Sequence, residues 1–375
     1  MKILLTGAAG FLGWHTRVRL RALTGHTVVP VTRANWLELP ELMDGADAVI
    51  HVAGVNRGPG GEVREGNIAL AEDLAAAVRS SGARPRIVFA NSVQCGNPSP
   101  YGEGKSGAAA VLAGLAAELG TPAIDVRLPN LFGEHGRPRY NSFVPTFVEA
   151  VLEARMPSIE DRAIELLHVQ QAAQVLIDAL EGEPGVIGSR GTPTTVQAVF
   201  NKLVDFRRLY TSGDIPPLSS DLDIDLFNTL RSALFPSHYP IRLGARSDSR
   251  GSLVEVVRAH GGQGQTFVSS TRPGMTRGEH FHLRKIERFV VLAGQATITL
   301  RRLFSEETVT FAVNGVRPCI VDMPTLWAHN ITNTGSSHLT TLFWTHELFD
   351  PGRPDTYPEP VAVAPRELVA AGGQR

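Results

Sequence analysis

The chain has 375 residues, 43% hydrophobic and 19% charged, with 36 basic against 37 acidic side chains. Single cores stop growing near ~250–300 residues, so this globular composition implies two domains and excludes a disordered chain. A net charge of −1 gives no long-range field for nucleic acid or an anionic membrane, and two distant cysteines, Cys95 and Cys319, exclude a disulfide framework and a cysteine zinc site.

The apolar run Ile3–Leu5 enters a glycine turn at once, so the N-terminus reads as a buried strand and not as an export signal. No apolar run approaches the ~18 residues of a membrane span, and a cytoplasmic location is expected. Strands are expected over residues 2–6, 26–33, 48–53, 86–92 and 123–128, with helices over 11–24, 63–80 and 101–119. Short strands alternating with helices imply a parallel sheet covered on both faces, the doubly wound α/β class. Further helices are expected over 141–154, 170–182 and 196–210.

From Gly251 the pattern changes to strands over 253–258, 266–270, 289–292, 295–303, 307–313, 319–323 and 339–345, punctuated by glycine and proline. That is an all-β segment the size of a small barrel or jelly roll. The expected domains are residues 1–243 and 251–375, joined by a linker over 244–250. The last few residues are expected to be disordered.

Gly7-Ala8-Ala9-Gly10-Phe11-Leu12-Gly13 follows a strand and opens a helix. Its glycines let backbone approach a pyrophosphate, which meets the free N–H groups of the helix start. The alternative is a glycine-rich turn without a ligand. The second strand ends Val31-Thr32-Arg33 with no acidic residue to favour NAD. Arg33 can pair with a 2′-phosphate, which favours NADPH, or be a solvated loop arginine. Tyr101 and Lys105 lie four apart on a helix start, so phenol and ammonium share a face. Lys105 and a cationic nicotinamide would lower the phenol pKa for proton exchange with a substrate oxygen that Ser92 also hydrogen-bonds. The alternative is a surface tyrosine with a lysine nearby.

The glycine loop, His51-Val52-Ala53-Gly54, Ser92, Tyr101/Lys105 and Arg127-Leu128-Pro129-Asn130-Leu131-Phe132-Gly133 resemble an extended short-chain dehydrogenase/reductase over roughly residues 1–240. The departure is a short stretch between Ser92 and Tyr101. The resemblance implies a Rossmann fold acting on nucleotide sugars, and Ala53 and Gly54 beside the cofactor. It further implies Asn130, Asn141 and Ser142 near the sugar nucleotide, and His168 in the segment closing the pocket.

His280-Phe281-His282 lies at a strand edge, where alternation puts both imidazoles on one face. With Glu287 and His329 they make three imidazoles and a carboxylate, a set that binds a divalent metal with room for water or substrate. Zinc suits it best, with nickel, iron and manganese left open. The alternative for any one histidine is an ordinary hydrogen-bonded strand residue. GEHFHLRKIERFVVLAG and DMPTLWAHNITN resemble the cupin signature, and Asp248–Glu255 resembles the opening of cupin-fold sugar epimerases. There Arg250 can contact a diphosphate or hold a turn.

The whole chain is similar to a family of bifunctional capsular-polysaccharide enzymes of the UDP-N-acetyl-L-fucosamine pathway. Further matching stretches are Gly54-Val55-Asn56-Arg57, Arg250-Gly251-Ser252, Phe349-Asp350-Pro351 and Pro354-Asp355-Thr356-Tyr357. The resemblance implies a homodimer acting on a UDP-linked 4-keto-6-deoxy amino sugar. The cupin would epimerise carbon 3, with Lys285 as candidate base, and the reductase would reduce carbon 4 with NADPH to a UDP-2-acetamido-2,6-dideoxy-L-talose. Epimerisation must come first, because the carbon 3 proton is acidic only while carbon 4 is a ketone. Two other readings compete: a reductase whose cupin is a non-catalytic dimerisation or binding module, and a non-enzymatic NADP/sugar sensor.

Overall fold

The computed structural model describes residues 1–362; the expectation of a disordered extreme C-terminus lies outside the described residues. The chain divides into two compact units. One comprises residues 1–211 and 216–234, the other 212–215 and the chain from Phe235 on.

In the first unit, β1 (Lys2–Thr6), β2 (Thr27–Val31), β3 (Ala48–His51), β4 (Arg86–Ser92) and β5 (Ala123–Leu128) form where expected. With β8 (Gly185–Gly188) they make a six-stranded, all-parallel sheet in the order β2-β1-β3-β4-β5-β8. Successive side chains point to opposite faces. Ile3, Leu5, Ile50, Val88 and Val126 therefore pack on one side with Leu20, Ala172 and Leu176. Leu4, Val49, Ile87 and Phe89 pack on the other with Leu74, Val78, Leu112 and Leu115. Each such aliphatic contributes roughly 1.5–3 kcal/mol by leaving water. The strand order reverses between β1 and β3, so a crevice opens at their carboxyl ends, the ligand position of doubly wound sheets.

A smaller sheet joins β6 (Asn130–Phe132), β7 (Ala163–His168) and β9 (Thr192–Thr195). Sequence reading missed these strands and the helix Asp221–Leu234. The strands are three to six residues long, too short for a periodicity to emerge.

The second unit contains two five-stranded sheets. One orders β10 (Ile241–Arg242), β18 (Cys319–Met323), β15 (Glu287–Ala293), β20 (Leu339–Thr345) and β13 (Gln265–Thr271). The other orders β17 (Thr308–Asn314), β16 (Gln295–Arg302), β19 (Trp327–Asn333), β14 (Thr276–Phe281) and β21 (Tyr357–Pro358). All pairings are antiparallel, an architecture consistent with a cupin-type jelly roll. The stretch expected as a linker is instead part of a hairpin, β11 (Ala245–Asp248) with β12 (Gly251–Val254). Its residues are mostly exposed and polar, so no buried face announced the strand. The unit also begins before 243, since Phe235 packs on Trp327 with ring centroids 4.6 Å apart.

Candidate functional sites

The first site forms at the β1/β3 crevice. Gly7 has φ +68°, and a Cβ there would lie 2.8 Å from the Ala53 nitrogen. A Cβ on Gly13 would lie 2.1 Å from the Gly7 carbonyl oxygen. Only glycine permits this approach of loop, helix start and β3 end. Gly10 precedes the helix Phe11–Leu23 and supplies no side-chain cap, so the helix start of Phe11 and Leu12 offers donors to an anion. This cradle, with Ala53 and Gly54 at its wall, fits a dinucleotide pyrophosphate. Arg33 lies exposed just beyond β2.

Ser92 ends β4, and its hydroxyl accepts from the Gln94 N–H at 3.1 Å. It is also hydrogen-bonded to the Tyr101 phenol. Ser99 caps the helix Pro100–Leu119 by accepting from the Gly102 N–H, which sets Tyr101 in the first turn. Lys105 is buried; its Nζ donates to the Ala90 carbonyl at 2.9 Å and lies 4.7 Å over the Phe89 ring. Burial pulls its pKa down to about 8 against the charges of Asp125 and Cys95. Among the protein's own groups, burial pushes Tyr101 up, and the Ser92 hydrogen bond opposes it. A raised phenol stays protonated near neutrality, the form that gives a proton to an oxygen.

Sequence reading missed Asn67. Buried in the helix Gly60–Ser81, it accepts from the Val55 N–H at 3.3 Å and donates to the Val55 and Val63 carbonyls, both at 2.7 Å. It thereby fixes the loop after Gly54. The only signal was an asparagine in mid-helix, where that residue is otherwise unfavourable.

The residues implied near the sugar divide. Asn141 is exposed, and the Asn130 amide reaches the Glu165 carbonyl at 3.4 Å. Ser142 occupies the cap position of the helix Phe143–Leu152 without capping it. His168 is 5% exposed, with Nε2 3.0 Å from the Glu134 carboxylate and Nδ1 3.8 Å from Asp225. Burial opposes ionisation of Glu134, yet His168 and His15 bring its pKa down to about 2. The Glu134 carboxylate thus holds this buried imidazole in place. Arg250 takes the turn position that the sequence offered as one of two readings. It sits 88% exposed in the β11–β12 turn and donates to the Asp248 carboxylate through its own N–H at 2.8 Å and Nη2 at 2.7 Å.

The second site lies in the β unit. His280, His282, Glu287 and His329 each offer a ligand atom, all within 4.8 Å of one another. His280 and His329 face each other in register on β14 and β19 of one sheet, whereas Glu287 opens β15 of the other. A bulge at Gly278–His280, with Glu279 at φ +57°, bends the strand before His280, and His282 lies just past its end. Bulges commonly re-aim side chains beside functional sites.

The Nε2 atoms of His282 and His329 are both 3.2 Å from one Glu287 oxygen. Ligands held at ~2.0–2.2 Å from a tetrahedral ion lie roughly 3.4 Å apart, so this donor set fits zinc or a similar cation. Burial pushes Glu287 up, but hydrogen bonds from His282 and His329 hold it far below the usual carboxylate range. Burial and the neighbouring imidazoles His329 and His282 lower His280 to about 3, leaving it a neutral donor. His282 is raised: burial works against its charge, and Glu287 prevails. Lys285 lies between the ligands in sequence; its Nζ donates to the Pro354 carbonyl and, at 3.3 Å, to the Thr356 hydroxyl.

A parallel sheet with a glycine cradle and a Ser-Tyr-Lys set defines a nicotinamide-dependent epimerase/dehydratase class. Residues 3–187 match the NAD dependent epimerase/dehydratase family, and residues 246–357 match a polysaccharide biosynthesis C-terminal domain. The chain belongs to the former family and carries the latter domain. It is 32% identical over 365 residues to a UDP-2-acetamido-2,6-beta-L-arabino-hexul-4-ose reductase of Pseudomonas aeruginosa, covering 95% of this chain and 98% of that one. The crystal structure of the capsular polysaccharide assembling protein CapF from Staphylococcus aureus is 30% identical with a TM-score of 0.61, covering 96% and 100%. A UDP-N-acetylglucosamine 4-epimerase from Methanobrevibacter ruminantium, 17% identical with a TM-score of 0.52 over 62% of this chain and 98% of that one, shares the fold alone. No helix among the described residues is long and apolar enough to cross a membrane.

Proposed function

We propose that this chain is a bifunctional sugar-nucleotide enzyme of polysaccharide biosynthesis. Its β unit epimerises carbon 3 of a UDP-2-acetamido-2,6-dideoxy-4-hexulose, and its α/β unit reduces the carbon 4 ketone with NADPH to a UDP-2-acetamido-2,6-dideoxy-L-talose. The observation that carries this is the likeness to the Pseudomonas aeruginosa reductase along 95% of the chain, across both units. When bound, NADPH supplies the hydride and a divalent cation supplies an electrophile for the ketone oxygen. His280, His282, Glu287 and His329 would hold the cation; the loop of Gly7, Gly10 and Gly13, with Arg33 at the 2′-phosphate, would hold the dinucleotide.

Tyr101 gives its proton to the carbon 4 oxygen, Ser92 orients that oxygen, and the buried Lys105 ammonium favours the phenolate left behind. Lys285 is the proposed group moving the carbon 3 proton, and Asn130, Asn141 and Ser142 the proposed sugar contacts. The active species is read as a homodimer, which a light-scattering mass checks. Four protein ligands can also close a tetrahedral shell, which favours a second reading of a purely structural metal.

Incubation with NADPH and the UDP-linked 4-hexulose in heavy water, followed by NMR at carbons 3 and 4, separates the two. Deuterium at carbon 3 that vanishes in His282→Ala, while a pre-epimerised ketone is still reduced, supports the bifunctional reading. Unchanged deuterium uptake in that variant supports the structural metal. Failure to oxidise NADPH with any 4-keto sugar nucleotide sinks both.

A further inference from the structure

The segment Pro354–Val361 is remote in sequence from the histidine cluster yet bonded to it from one side. The Asp355 carboxylate accepts three consecutive backbone N–H groups: Leu283 at 3.0 Å, Arg284 at 2.9 Å and Lys285 at 2.6 Å. Those three residues are most of the loop between His282 and Glu287. The Asp355 carbonyl oxygen accepts from His282 Nδ1. A carbonyl cannot donate, so Nδ1 carries a hydrogen, and Nε2, turned to Glu287, is the nitrogen that can give up its proton to ligate a cation. Asp355 has φ +40°, a backbone state that aspartate and asparagine tolerate better than most residues.

The segment is itself held. Pro358 and Tyr357 pair with His280 and Phe281 on β14. The Glu279 carboxylate accepts from the Val361 N–H at 2.6 Å. Buried Arg301 donates to the Val361 carbonyl at 2.9 Å and the Pro360 carbonyl at 2.7 Å.

We infer that Asp355 is a positioning residue of the metal centre, clasping the Leu283–Lys285 loop and fixing His282 as an Nε2 ligand. Partners that orient a metal-binding imidazole in this way are worth about 10- to 100-fold in metal affinity. The inference rests on the proposed metal-centre reading.

The test loads metal-free full-length protein with Co²⁺, reading its visible d–d bands and its affinity against a chelator. Wild type takes up one ion per chain, and His282→Ala abolishes the bands. Asp355→Gly, which keeps the backbone carbonyl and tolerates the positive φ, weakens binding about 10- to 100-fold and changes the bands. Asp355→Asn retains one acceptor oxygen and lies between. Circular dichroism confirms the fold of each; should Asp355→Gly unfold, Asp355→Asn carries the test by the same bands. Affinities and bands equal to wild type in a folded Asp355 variant overturn this inference alone. A wild type that takes up no Co²⁺ overturns the metal-centre reading with it.

Discussion

At the scale of single residues, burial does most of the tuning. Tyr101 is kept protonated and Lys105 is brought down to about 8 by their surroundings. Tyr101→Phe is expected to lower the rate of ketone reduction by about 10²–10⁴-fold with NADPH affinity unchanged, checked by steady-state kinetics and fluorescence titration. His51 shows the same control away from the reacting groups. Thr6 Oγ1 accepts from the Val52 and Ala53 N–H groups, so its own proton goes to His51 Nδ1 at 2.8 Å. Burial, then the Lys105 charge, brings His51 down to about 3. A base whose folded pKa lies below its unfolded value of about 6.5 gives stability that is full above pH 6.5 and is lost as pH falls towards 3. His51→Gln is therefore expected to lose less stability than wild type between pH 7 and 5, by up to about 2 kcal/mol in urea titrations. Equal losses in the two proteins would exclude His51 as a source of acid sensitivity.

At the scale of elements, the helix Pro100–Leu119 carries Tyr101 and Lys105, the proposed catalytic pair, and several glycines in different surroundings. A Cβ on Gly104 would lie 3.0 Å from Arg64 Cα, whereas one on Gly114 would meet nothing within 4 Å. Alanine is worth roughly 0.8–1.0 kcal/mol over glycine inside a helix. Gly114→Ala is expected to stabilise by up to about 1 kcal/mol, and Gly104→Ala to destabilise because helix Gly60–Ser81 must move away. Thermal melting of the two variants reads the opposite signs. The alternation of strand and helix over residues 2–128 was legible in the sequence, since apolar runs and glycine turns are local signals. The hairpin of β11 and β12 was not, because its side chains are exposed, and β6 and β9 are too short to show a period. Of the candidate sites, the glycine loop, Tyr101/Lys105 and the four metal donors were readable as spaced motifs. The pairing of His168 with Glu134 was not readable, because nothing local reveals that the two lie together.

At the scale of the molecule, two compact units divide the two proposed chemistries. A metal that binds the folded β unit and not the unfolded chain stabilises that unit by mass action, about 2.7 kcal/mol when free metal is 100 times its Kd. Adding a chelator is therefore expected to lower one melting transition, and restoring Zn²⁺ to recover it, in differential scanning calorimetry; a melting profile indifferent to both would count against a metal held by these four side chains. The sequence by itself determined the class of each half, because a glycine turn feeding a helix, and alternating strands, are set by neighbours a few residues apart. Only the tertiary structure decided which polar groups share a site. His280 and His329 come from one sheet and Glu287 from the other, and Asp355 reaches back some 70 residues to the loop it holds. Such partners meet only after the chain has closed long loops, and no local pattern of hydrophobicity or charge records that closure.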